Sequence, residues 1–188
     1  DYKTTMWSMF IYFCIMILNI RRLDNVIMTE VKSGNVEMFM NKPTNYLTIS
    51  FMKVIGQGIF SFLFISILGS IIMALSVGIP NLNLSVFIPT FIITLFLGQI
   101  LGLLIYGIIG LMAFFIQDIR PIHWIVDKFV MILGGSYFPI SMFPNFMKII
   151  AYVSPFGAIN FASSTVYDSW NNEFIMRIAL QLLWIGIF

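Results

Sequence analysis

The residues of this chain best suited to acid–base or metal chemistry gather between positions 118 and 128: Asp118, Arg120, His123, Asp127 and Lys128. His123 is the only histidine, so a two-histidine metal site is excluded within the chain. His123 with Asp118 and Asp127 can be drawn as an acid–base or metal cluster. A solvated interfacial trio is the plainer reading. Asp127 and Lys128 could relay a proton, since ionisable groups inside membrane helices are functional by default. Near a helix end, mutual neutralisation explains them as well. The Gly56, Gln57, Gly58 string lacks the third glycine and the strand-turn-helix context of a dinucleotide fingerprint. No GxxxxGK[ST] phosphate loop occurs anywhere. Cys14, the single cysteine, has no intrachain partner and sits in an apolar run, where packing is its ordinary role. The expectation is no catalytic, metal or cofactor-binding residue in this chain.

The other polar concentration is residues 20–46, with Arg21, Arg22, Lys32 and Lys42 set against Asp24, Glu30 and Glu37. Around it the chain is apolar: of 188 residues 60% are hydrophobic and only 10% charged. A soluble domain carries about 25% charged residues, so this surface is not built for water. The apolar runs are continuous, which argues against the polar–apolar alternation of a transmembrane barrel. The fold class is all-α, a polytopic helical membrane protein with five spans, at about 5–20, 50–77, 86–116, 122–138 and 173–188.

Between the first two spans, Leu23, Val26, Ile27 and Val31 recur at helical spacing, predicting an amphipathic helix over Leu23–Lys32. Gly34 suits a stop beyond it. Val36, Phe39 and Met40 define a second short helix, closed by Pro43. In the second span Ser66, Ser70 and Ala74 repeat every four residues, a small-residue face for close packing, and Lys53 marks its cytoplasmic edge. Gly98 and Gly102 form a GxxxG pair in the third. Pro139, Pro144 and Pro155 divide residues 139–168 into pieces too short to span. One carries Phe146, Ile149, Ile150 and Val153 on one side; residues 156–167 could form another helix. These pieces read as an apolar hairpin dipping into the outer leaflet.

Charge bias assigns the sides. Residues 21–53 hold five Lys or Arg and residues 117–128 hold two, whereas 78–85 hold none and 138–173 hold only Lys148. The positive-inside rule puts 21–46 in the cytoplasm and 139–168 outside.

Two motifs resemble a known family. One is Glu30, Ser33 and Gly34 followed by Phe39, Met40, Pro43 and Tyr46. The other is Gly134, Gly135, Phe138, Pro139, Phe143 and Pro144, then Ser154, Pro155 and Phe156. Together with the hydropathy layout they resemble the permease subunits of type-two ATP-binding-cassette exporters, especially small six-span bacterial permeases, over the whole chain. Ser163 and Ser164 stand where relatives often place a proline. The resemblance implies a further span before Asp1, a last span continuing past Phe188, and a core of two permeases, identical or homologous. It also implies outer re-entrant helices built on Phe138, Pro139, Phe143, Pro144, Pro155 and Phe156. A cytoplasmic coupling helix would seat in a separate ATPase, which would bind the ATP and magnesium. Coupling would fall on Leu23, Val26, Ile27, Glu30, Ser33, Gly34, Phe39 and Pro43.

The function expected is thus export of an amphipathic or hydrophobic substrate across the bacterial plasma membrane, with the bilayer, the ATPase and a second permease as partners and no nucleic acid. A non-transporting membrane scaffold or sensor subunit is the alternative, along with an intramembrane enzyme using Asp127, Lys128 or His123.

Overall fold

A computed structural model describes residues 2–18, 20–40, 45–138, 140–167 and 170–188. The described residues are helical, with no strand among them. In chain order the helices are α1 (Tyr2–Ile17), α2 (Leu23–Lys32), α3 (Val36–Met40), α4 (Tyr46–Ser76), α5 (Leu84–Leu111), α6 (Arg120–Leu133), α7 (Asn145–Val153), α8 (Pro155–Ala158) and α9 (Trp170–Ile187). Short 3-10 segments at Ile20–Arg22, Met112–Phe114, Ile140–Met142 and Phe161–Val166 join them.

Helices occupy all five places where spans were expected. Among the described residues, by length and composition, only Tyr46–Ser76 and Leu84–Phe114, 31 residues each, are sufficient to cross a membrane by themselves. The bent pair Tyr2–Ile17 and Ile20–Lys32, at 41°, is a possible third. Helix α6 has 14 residues, about 21 Å, and is too short alone.

Helix α5 is the centre. Its interior face buries Thr94, Leu101, Tyr106 and Ile109, and the core continues through Leu23, Ile27, Val54 and Phe161. A row of glycines lets three other segments approach it. A Cβ on Gly98 would collide with the Ile159 carbonyl oxygen. On Gly102 it would lie 3.1 Å from Ile20 Cγ2, on Gly107 3.8 Å from Leu23 Cδ2, and on Gly110 2.7 Å from Ile27 Cδ1. Small residues make such seams because lipid gives no hydrophobic drive for association and close dispersion contact must supply it.

Helix α4 stands apart, with most of its apolar surface exposed, including Phe60, Phe64 and Leu75. Ser66, Ser70 and Ala74 line an open apolar groove shared with Trp7, Phe10 and Phe91. The Ser66 and Ser70 hydroxyls donate to carbonyls of their own helix, at 3.1 and 2.9 Å. The close approach to α1 is at Gly69, where a Cβ would lie 2.5 Å from the Phe10 ring. The bulky Phe10 finds room only over the hydrogen atom of that glycine.

The second outer helix differs from expectation. Residues 156–167 form no single helix: α8 ends at Ala158 and a 3-10 segment takes over at Phe161. Ser163 and Thr165 donate to the carbonyls of Asn160 and Ala162, at 2.8 and 2.7 Å. Side chains bonding locally to backbone acceptors compete with the α-helical ladder. Helix α7 carries Phe146, Ile149, Ile150 and Val153 on one face, and all four are exposed. That face is apolar and outward, as a lipid-facing surface is.

Candidate functional site

The charged residues converge where α2 meets α5 and α6. The break at Ile20–Arg22 places the Arg21 guanidinium on the Asp127 carboxylate of α6, as a short ion pair, with the Tyr106 hydroxyl donating to the same carboxylate oxygen at 3.3 Å. One turn further into α2, Asp24 Oδ2 lies 2.5 Å from His123 Nδ1. Its other oxygen accepts from the Asn25 backbone N–H at 2.7 Å. The Asp24 side chain has no exposed surface, and His123 retains 22%. Burial pushes the Asp24 carboxyl above the usual carboxylate range, and the His123 imidazole opposes that rise. The two pairs join the entry of α2 to α6 with the Tyr106 and His123 rings tilted against each other, centroids 5.9 Å apart.

These positions correct two sequence readings. His123, Asp118 and Asp127 form no trio: Asp118 pairs with Arg120 across its own exposed turn, at 2.5 Å, while His123 and Asp127 face inward. Asp127 and Lys128 do not neutralise each other, because successive helical residues point about 100° apart. Lys128 instead lies over the Trp124 ring, 5.6 Å from its centroid. Arg120 holds the Asp118 carboxyl far below the ordinary range.

Glu30 is the second anchor. Only 7% exposed, it accepts from the Tyr46 hydroxyl at 2.8 Å and pairs with Lys53 at 2.8 Å, so α2 is tied to the first two turns of α4. Burying a carboxyl group is costly unless hydrogen-bonding partners replace the lost water. The Ser33 hydroxyl donates to the Glu30 carbonyl at 3.2 Å, and Gly34 turns the chain at φ +73°, a region costly for residues with a Cβ.

The expected coupling residues therefore divide. Leu23, Ile27 and Glu30 are buried within the chain, and Val26 is half-buried. The exposed part of the segment is Thr29, Lys32, Ser33, Gly34, Asn35, Glu37 and Met38, with Phe39 half-buried against Tyr46. Pro43 and Lys42 lie outside the described residues. In the outer motif, Phe138 is exposed. Phe143 packs with Leu133, Ile140 and Ala151, and Phe156 stacks on Phe129 at 5.6 Å. Ser154 caps α8 by accepting from the Gly157 N–H at 3.1 Å, with Pro155 in its first turn, while Pro144 precedes α7. Pro139 lies outside the described residues.

Sequence reasoning missed Gly107, Gly110, Tyr106 and the pairing of Arg21 with Asp127. The glycines had a signal, since they continue the Gly98 and Gly102 face of α5. The ion pairs had none, because they join residues about a hundred positions apart.

Long apolar helices around a glycine-seamed centre define a multi-pass helical membrane protein. The chain belongs to the ABC-2 family of transporter proteins, whose family model, described as "ABC-2 family transporter protein", matches residues 3–187. It is thus a membrane protein with a transport permease role, of a kind that associates with ABC ATPase subunits and is generally not itself catalytic. No curated protein and no solved structure matches it.

Proposed function

We propose that this chain is the transmembrane permease subunit of a bacterial ABC exporter, driven by a separate cytoplasmic ATPase and paired with a second permease in the plasma membrane. The five helices α1, α4, α5, α6 and α9 serve as its spans, residues 21–46 face the cytoplasm, and α7, α8 and the 3-10 segment after them form the outer re-entrant hairpin. The substrate is amphipathic or hydrophobic.

The observation that carries this reading is the construction of residues 20–40. Their inner side is fixed to α4 and α6 by Glu30, Asp24 and Arg21, and packed on α5 by Leu23 and Ile27. Their outer side, around Lys32, Gly34, Glu37 and Met38, is exposed and bent at Gly34. A segment anchored on one side and open on the other can take a push from a partner and pass it to the helices. ATP and magnesium belong to that partner.

The test is co-expression with an ABC ATPase encoded beside the chain, followed by purification and measurement of substrate-stimulated hydrolysis in nanodiscs. Met38→Asp should leave the permease folded and weaken ATPase capture. Gly34→Val should strain the bend and remove stimulation. Full capture and stimulation in both variants would defeat the docking assignment, and failure of the parent chain to retain any ATPase would favour a scaffold or sensor subunit.

A further inference from the structure

Polar side chains from four separate segments line one small cavity. The cavity measures about 20 Å³ and is lined by Tyr12 of α1, Arg21 of the 3-10 turn, Gln99 and Tyr106 of α5, and Asn160 of the link after α8. Arg21 Nη1, Gln99 Oε1 and Asn160 Nδ2 have no hydrogen-bond partner among the described residues, and Tyr12 Oη has only the Ser136 side chain within hydrogen-bonding range. Tyr12 is 1% exposed and Asn160 3%. Buried polar atoms are almost always bonded, and each one left unpaired bears its full desolvation cost. Three of them on residues lining one cavity call for a shared partner.

The chemistry of the set specifies that partner. Arg21 Nη1 and Asn160 Nδ2 can only donate, Gln99 Oε1 can only accept, and the tyrosine hydroxyl does either. A water molecule accepts two hydrogen bonds and donates two. A cavity needs about 10–15 Å³ to hold one water, with two to four polar partners. An anion is disfavoured because the Arg21 charge is already matched by Asp127 and Gln99 presents an oxygen. A cation is disfavoured by the two obligate donors.

We propose that this cavity is a water-binding site inside the helix bundle, where one ordered water accepts from Arg21 and Asn160 and donates to Gln99 and Tyr12. The water joins the entry of α2 to the segment following α8 through α5. Gln99 and Asn160 are then positioning residues for Arg21, acting on the Arg21–Asp127 pair without touching it. Gly134 makes room for the arrangement, since a Cβ there would collide with Asn160 Nδ2.

The experiment is X-ray hydroxyl-radical footprinting of the full chain in lipid nanodiscs, because radicals generated from a bound water oxidise the side chains beside it. Tyr12 should be labelled at least several-fold faster than Phe161, which is 0% exposed and does not line the cavity. Gln99→Met, of similar size without the acceptor, should cut Tyr12 labelling several-fold, and Gln99→Glu, which keeps an acceptor, should retain it. Monodispersity and tryptophan fluorescence establish folding, and Gln99 is only half-buried, so both variants are expected to fold. Tyr12 labelling no faster than that of Phe161 in the parent would overturn the proposal, as would labelling unchanged in a folded Gln99→Met. Labelling suppressed by millimolar bromide would reassign the cavity to an anion and equally overturn it.

Discussion

Placing one methyl group on Gly110 should separate packing from propensity at the α2–α5 contact. A Cβ there would lie 2.7 Å from Ile27 Cδ1, 3.1 Å from Ile27 Cβ and 3.0 Å from Asp24 Cα. Carbon atoms pack best at about 3.5–4.0 Å, so the shortfalls are roughly 0.8, 0.4 and 0.5 Å. The Ile27 methyl could swing aside in an open site, but Ile27 is 0% exposed. Asp24 Cα is backbone and moves only if α2 moves. Overpacking of this kind costs about 1–3 kcal/mol. Alanine in place of glycine within a helix returns about 1 kcal/mol, so Gly110→Ala should lose about 1 kcal/mol net. Gly107→Ala is the matched control: same helix, same partner, nearest atom 3.8 Å away, an ordinary contact. It should gain about 0.5–1 kcal/mol. The two variants thus differ by about 2 kcal/mol, roughly thirtyfold in the unfolding equilibrium. Reversible unfolding in mixed micelles, followed by tryptophan fluorescence, measures this directly. Equal stabilities, or Gly110→Ala as the more stable of the two, would refute the close approach.

Two further outcomes follow from the ion pairs. Asp127→Asn strands the Arg21 guanidinium in a site where the two partners are 18% and 15% exposed, and should cost about 3 kcal/mol by the same unfolding assay; replacing both Arg21 and Asp127 with methionine should recover most of it. Asp118 and Arg120 are the contrast. The Asp118 carboxyl is depressed in the folded chain, so whatever its pair contributes is present above the ordinary carboxylate pKa of about 3.9 and is lost only as pH falls through the lower folded value. Both groups are exposed, so solvent screens them. Asp118→Asn should leave the melting temperature unchanged from pH 8 to pH 5, and a loss of several degrees in that window would contradict a solvated pair.

The coupling segment shows where local reading ends. The 3.6-residue recurrence of Leu23, Val26, Ile27 and Val31 gave the helix Leu23–Lys32 with its bounds, because an amphipathic stripe is a local property. Which way that stripe turns is not local. Leu23 and Ile27 pack into α5 because Gly107 and Gly110, some eighty residues later, leave the space. Glu30 stood among the expected coupling residues, and only the fold brings Tyr46 and Lys53 over it. The stripe of Ser66, Ser70 and Ala74 was read by the same local rule, and spacing marks a flat face without saying what lies opposite.

Composition and hydropathy determined by themselves that this is a helical membrane protein, and its motifs pointed to the transporter family, since both depend on residue type and order alone. Tertiary structure decided which charges pair, which glycines are contacts and where the buried polar atoms meet. A charge buried in low dielectric needs a partner in space, and nothing in the chain order of Arg21 and Asp127, 106 positions apart, names that partner.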